Sequence, residues 1–294
     1  MAAGDLRTLR RRIKSVKSTQ KITRAMELIA ASRIARARRT VEAARPYAEQ
    51  ITRVIRDLAA ETEVLSSPLL SVHESVRHVA ILVVTSDRGL AGAYNTNVLR
   101  RAERLAIQER DAGREVVMYA VGRKAETYFR YRGAPPVHTW TGVSDTPRYA
   151  DAADISERLV ADYTAEKIDR VWLVYTDFKS ALTQVSSVAK LLPVDAREFG
   201  GGQQFPPQFM FEPDPATILA ELIPRYLEHR VYAGLLESSA SEHASRQRAM
   251  KAATDNAGDI IEDLTREANR ARQAAITTEI SEIVGGAEAL SQSA

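Results

Sequence analysis

The chain has 294 residues, 45% of them hydrophobic, with no cysteine and a formal net charge of +3, enough for one large domain or two small ones with a proper core. Disulfides, thiolate metal sites and cysteine nucleophiles are excluded, and five scattered histidines, His73, His78, His138, His229 and His243, show no ligand spacing. No run approaches the ~18 consecutive apolar residues of a membrane span, and no apolar block ends in a small-residue cleavage site near the start, so neither spanning nor secretion is expected.

The small net charge hides an asymmetry. Residues 1–40 carry twelve Lys/Arg against Asp5 and Glu27, a net of +10 that leaves the remainder near −7. An Arg-rich, acid-poor start fits a transit peptide or an arm for nucleic acid. Periodicity decides against the first. With Leu6 at heptad position a, the a series reads Leu6, Ile13, Gln20, Glu27, Ile34, Val41, Ala48, Ile55, and the d series Leu9, Val16, Thr23, Ala30, Ala37, Ala44, Ile51, Leu58. A repeat of 3.5 held this long predicts a helix over 1–60 that supercoils with a partner helix. Pro46 predicts a kink or a local irregularity near Arg45 and Tyr47.

The middle of the chain changes character. "VAILVVT" (79–85), "EVVMYAV" (115–121) and "RVWLVYT" (170–176) are apolar runs of buried-strand type. Helical stretches near 95–109 and 123–131 follow the first two, and 155–166 precedes the third. "QVSSVAKLLPV" (184–194) adds an edge strand before the Gly/Pro loop "FGGGQQFPP". This order predicts a largely parallel, Rossmann-like α/β domain over 75–200. A second long helix is expected over 214–290, capped by Asp214 with Pro215 in its first turn. Its seam runs through Leu219, Leu222, Tyr226, Ala233, Leu236 and Ala240, is interrupted at His229, His243 and Gln247, and resumes through Met250, Thr254, Ala257, Ile261, Leu264, Ala268, Ala271, Ala275 and Thr278. Pro224 predicts a kink. The economical arrangement is a long antiparallel coiled coil of the N- and C-terminal helices around the α/β domain, with small Ala and Thr seam residues allowing close approach.

"SDRGLAGAYN" (86–95) is a glycine-rich turn between a strand and a helix, a place where phosphates bind. It lacks the lysine and spacing of GxxxxGK[ST] and is not GxGxxG, so the preferred reading is a tight turn needing Gly89 and Gly92. No catalytic constellation, cofactor motif or metal set stands out. An α/β nucleotide-binding enzyme with a helical arm and a basic coiled-coil nucleic-acid binder remain the alternatives; polar seam positions and the lack of interleaved aromatics favour a protein partner with acidic loops over nucleic acid. Ile22, Met26 and Ile29 fall at c, g and c, away from the seam. Near the other end Ile276, Ile280, Ile283 and Val284 form a second stripe where the seam turns polar at Thr278 and Glu282. Two apolar surfaces outside one mutual interface point to a surrounding apolar partner.

"TQKITRAMELIAASRIARAR" (19–38), "SDRGLAGAYN", "SEHASRQRAMKAATDNA" (241–257) and "ITTEISEIVGGAEAL" (276–290) together resemble the gamma subunit family of F-type ATP synthases, and Ile276, Thr277, Glu279, Glu282, Gly286 and Ala287 are similar to its terminal signature. The resemblance implies a non-catalytic central-stalk rotor without a cofactor, one copy per complex. It would turn inside the hexamer of alpha and beta subunits and touch epsilon and the membrane c-ring. It would couple proton flow to ATP synthesis or hydrolysis at the beta subunits and help regulate ATPase activity. The implied location is peripheral, on the cytoplasmic face of a bacterial cell membrane. Met26, Arg246, Gln273 and Thr277 match positions associated with rotor–stator coupling; Ile22, Ile29, Ile276, Ile280, Ile283 and Val284 become an apolar bearing; and Arg10, Arg11, Arg12, Arg33 and Arg36 become candidates for acidic stator loops.

Overall fold

The seam of the N-terminal segment is covered as its spacing requires. In a computed structural model, all sixteen a and d positions from Leu6 to Leu58 are buried or half-buried. The structure describes residues 2–61, 69–70, 73, 75–194, 212 and 214–292; the loop from Phe199 to Pro207 lies outside them. Helix α1 runs from Ala2 to Glu61 and helix α5 from Pro215 to Gln292. Neither is broken at its proline: the helices continue through Pro46 and Pro224. The α5 start is capped as expected, with Asp214 Oδ1 accepting the Thr217 N–H at 2.9 Å.

Between them lie β1 (His78–Val84), α2 (Tyr94–Asp111), β2 (Glu115–Val121), α3 (Arg123–Tyr131), β3 (His138–Trp140), α4 (Tyr149–Thr164), β4 (Arg170–Phe178) and β5 (Gln184–Leu192). The sheet order is β3-β2-β1-β4-β5. β1 pairs in parallel with β2 and β4, β2 with β3, and only β5 runs antiparallel. Strand β3 was not foreseen, and α4 begins six residues before the expected Ile155. Asp151 starts it there by accepting the Arg148 N–H at 2.8 Å.

The chain divides into two compact units, residues 1–29 with 247–294, and residues 30–246. In the second, alternate strand residues face two cores. Ile81, Val83, Met118 and Ala120 pack with Val98, Ala102 and Leu105 of α2 and Phe129 of α3. Leu82, Val84, Tyr119 and Val121 face the other way, onto Ile155 and Leu159 of α4, Ile55 and Leu58 of α1, and Ile223, Leu227 and Val231 of α5. Each fully buried Ile or Leu contributes roughly 1.5–3 kcal/mol, so the 30–61 and 215–246 parts of the long helices form one wall of the domain core. Gly234 permits the close approach of α5 to the sheet, since a Cβ there would lie 2.7 Å from Leu173 Cδ2.

Candidate functional site

In the first unit, Thr23 and Thr254 fix how the helices pair. Their hydroxyl oxygens are 2.8 Å apart, and Gln20 Nε2 donates to the Thr254 carbonyl at 3.4 Å. The glycine at 258 helps to bring the chains this close, because a Cβ there would lie 3.3 Å from Gln20 Nε2. In an antiparallel pair with residue 23 opposite 254, the start of α1 at Ala2 lies level with Ala275. The seam accordingly ends there. Met250, Ala257 and Ala268 are buried and Ala275 half-buried, but from Ile276 to Gly285 every residue is exposed, including Thr278, which the sequence had assigned to the seam. Ile276, Ile280, Ile283 and Val284 therefore sit on a helix beyond the reach of its partner, with Ile283 71% exposed.

Farther along the pair, Ile22 is 58% and Ile29 54% exposed. Met26, between them, is half-buried, so it is the inner edge of that stripe. Leu28, at position b, is equally open and widens the apolar surface; its identity at a non-seam position was the signal for it. Glu27, a carboxylate in the seam, is buried and accepts from Arg24 Nη1 at 2.9 Å. Arg10, Arg11 and Arg12 are exposed. Gln273 and Thr277 are exposed on one strip of α5, where the Thr277 hydroxyl donates to the Gln273 carbonyl at 3.0 Å.

Arg246 is different: it is buried and belongs to the second unit. Its Nη2 donates to Glu242 Oε1 at 2.6 Å and to the Gly89 carbonyl at 3.2 Å. Burial pushes the Glu242 carboxyl above its ordinary range even though Arg246 pulls it down. The arginine thus ties α5 to the turn after β1. That turn is held elsewhere by Asp87, whose Oδ2 accepts the Gly142 N–H at 2.9 Å and whose Oδ1 accepts the Arg123 N–H at 3.1 Å. The Ser86 and Asp87 N–H groups are spent on Asn95 Oδ1 and Ser144 Oγ, both at 3.0 Å. Gly92 takes a positive φ of 55°, as a tight turn requires, but the second left-handed residue is Leu90, at φ 61°, rather than Gly89.

Crevices at the carboxyl ends of such strands are where open α/β sheets take ligands. Here the polar turn of α5 fills that edge: Ser241 Oγ donates to the Thr176 carbonyl at 3.3 Å, and Ser238 Oγ accepts the Thr176 N–H at 3.2 Å. Of the residues read in sequence as seam interruptions, His243 belongs to this buried band. His243 Nε2 and Ser239 Oγ both donate to the Asp145 carbonyl, at 3.1 and 3.2 Å. Burial pushes the His243 imidazole down, toward its neutral form. The Asp145 carboxylate pairs with Arg33. Arg33 is thereby engaged within its own chain, unlike the exposed Arg36. Asp145 was invisible in the sequence because its partners, Arg33 and His243, come from remote segments.

The paired helices of the first unit carry open apolar stripes, and the α/β unit packs its sheet on its own parts of α1 and α5. The family model described as ATP synthase matches residues 5–290, and the ATP synthase gamma chain of Parafrankia sp. is 52% identical over 99% of this chain and 100% of its own length. The chain belongs to the ATP synthase gamma family. The gamma chain of Frankia casuarinae is likewise 52% identical, over 98% of both chains. Among solved structures, the central stalk/c-ring structure of Tetrahymena thermophila mitochondrial ATP synthase contains a chain with TM-score 0.61 and 25% identity, covering 79% of this chain and 99% of that one. A chain of the Euglena gracilis mitochondrial OSCP/F1/c-ring structure shares the fold at TM-score 0.69 and 18% identity, over 98% of this chain and 95% of its own. Among the described residues no helix is long and apolar enough to cross a membrane.

Proposed function

We propose that this chain works as a turning shaft whose open apolar stripes run against a surrounding sleeve. Family membership makes it a central-stalk subunit of an F-type ATP synthase. The finer reading is a non-catalytic rotor within the alternating alpha and beta subunits, in contact with epsilon and the c-ring, peripheral to the cytoplasmic face of the membrane. It transmits torque between proton flow and the beta subunits, a conformational coupling rather than a bond-making step.

The observation that carries this reading is the end of α5, where Ile276, Ile280, Ile283 and Val284 stand uncovered by any of the described residues. Exposed apolar surface of this kind marks an interaction site. An apolar contact without directional bonds suits a surface that must slide, because it resists displacement without locking one angle. Ile22, Leu28 and Ile29 extend the same character to α1. Met26, Gln273 and Thr277 flank these stripes and are read as coupling positions, Arg246 as the brace of the turn after β1, and Arg10, Arg11, Arg12 and Arg36 as contacts to acidic loops.

The test is co-purification with alpha and beta subunits followed by a cysteine introduced at Ile280, in a chain that has none of its own. Crosslinking to the alpha/beta ring is the expected result. A chain recovered only as a free monomer from cells with an intact synthase would overturn the reading.

A further inference from the structure

A groove in the second unit lies beside the sheet core, against which its Tyr232 packs. It is a cavity of about 470 Å³ lined by Ala44, Tyr47, Tyr149, Arg225, His229 and Tyr232, within the roughly 300–1,000 Å³ usual for small-molecule sites. Helical spacing builds it. Arg225, His229 and Tyr232 recur at i, i+4 and i+7 on α5, Ala44 and Tyr47 at i and i+3 on α1, and Tyr149 opens α4. The Tyr149 and Tyr232 rings meet edge to face with centroids 5.5 Å apart, and Tyr47 tilts over His229 at 5.3 Å. Tyr47 is 49% and Tyr149 36% exposed while Tyr232 is half-buried and His229 buried beneath them, so two of the rings stay open although well-packed aromatics bury most of their surface.

The charges around the groove select the ligand. Glu228 Oε2 accepts the Tyr149 hydroxyl at 2.8 Å and faces Arg225 Nη1 at 3.5 Å, and its side chain is largely covered. The carboxylate is therefore spent at the rim. Among the described residues Arg225 is held only by that long contact and stands in the wall with donors to spare. A quaternary ammonium would gain the ring faces but meet this guanidinium. Burial and the neighbouring Arg230 charge push His229 down toward neutrality, so its ring adds no charge to the groove. We propose that the groove binds a small aromatic anion, packed among Tyr47, Tyr149 and Tyr232 with its anionic group on Arg225. Because α1, α4 and α5 each supply a wall, such a ligand ties the three helices together and stabilises the unit in proportion to its occupancy.

The probe is anilinonaphthalene sulfonate, titrated by calorimetry into the full-length chain and into the assembled complex. One equivalent binds to both, and Tyr232→Ala and Arg225→Ala each weaken it by about tenfold or more. Tyr232→Phe, which keeps the ring, retains binding and guards against misfolding. Uncharged anilinonaphthalene is insensitive to Arg225→Ala. A smaller effect of Tyr232→Ala or Arg225→Ala overturns the proposal, as does a loss of binding in Ile280→Ser, which would put the probe on the helix stripe. Binding to the free chain but not to the complex also overturns it, by assigning the groove to a partner subunit.

Discussion

Thr23 and Thr254 face each other across the long helices with their hydroxyl oxygens 2.8 Å apart, each also within reach of its own helix, at the Gln20 and Met250 carbonyls. Thr23→Val or Thr254→Val alone costs about 1 kcal/mol by leaving one hydroxyl against a methyl group, and the double change recovers most of that. A double-mutant cycle from urea unfolding should give a coupling of about 0.5–1 kcal/mol. Strict additivity of the two changes would mean that the hydroxyls do not interact.

Arg246→Ala strands Glu242 in a buried site and should cost about 3–5 kcal/mol at neutral pH. The pH dependence has a definite sign. The folded Glu242 carboxyl already sits above its ordinary range, raised by burial and lowered by Arg246; without the arginine it rises further. A group raised on folding contributes its stability below the unfolded value and loses it as pH climbs through the folded one. The gap between variant and parent should therefore be small at about pH 4 and widen toward pH 7.5. Denaturant midpoints across that range check it, and a constant gap would remove Glu242 from the account.

Gly122→Ala should be among the most damaging small substitutions in the α/β unit. Gly122 has φ 90°, and a Cβ there would lie 2.3 Å from the Thr85 carbonyl oxygen. Thr85 cannot retreat: its Oγ1 accepts the Ala125 N–H at 2.9 Å and donates to the Val121 carbonyl at 3.0 Å. A loss above about 3 kcal/mol, seen as a fall in Tm, is expected. Gly113→Ala, also at positive φ but with open space around it, should cost about 1 kcal/mol.

How far the sequence could be read follows from the range of the forces. The seam from Leu6 to Leu58 and the strands at 79, 115 and 170 were legible because burial repeats locally, every 3.5 residues or along a short run. The parallel pairing followed from the intervening helices. His138–Trp140 was not, since three residues carry no period. The helices continue through both Pro46 and Pro224. His243 looked like a polar lapse in a seam because Asp145, whose carbonyl it meets, lies far off in the chain. Of the candidate site, the stripes at Ile22 and Ile276 were legible as misplaced apolar residues. That the second arises because the partner helix ends level with Ala275 required the pairing at Thr254.

Ile280→Ser with Ile283→Ser separates stability from function most cleanly. Both side chains are exposed and lie past the end of the pair, Ile280 at 56% and Ile283 at 71%. Neither contributes to a core, so Tm of the isolated chain should stay within the change of about 0.5 kcal/mol typical of surface substitutions. Serine keeps the helix, at a propensity cost of only a few tenths of a kcal/mol, roughly. If the stripe bears on a sleeve, the assembled complex loses apolar contact where torque is resisted, and ATP-driven proton pumping falls more than ATP hydrolysis does. The comparison is made on reconstituted vesicles, with subunit stoichiometry checked first. Equal pumping and hydrolysis in a fully assembled variant would mean that the stripe touches nothing that matters to coupling, and the bearing reading would fail with it.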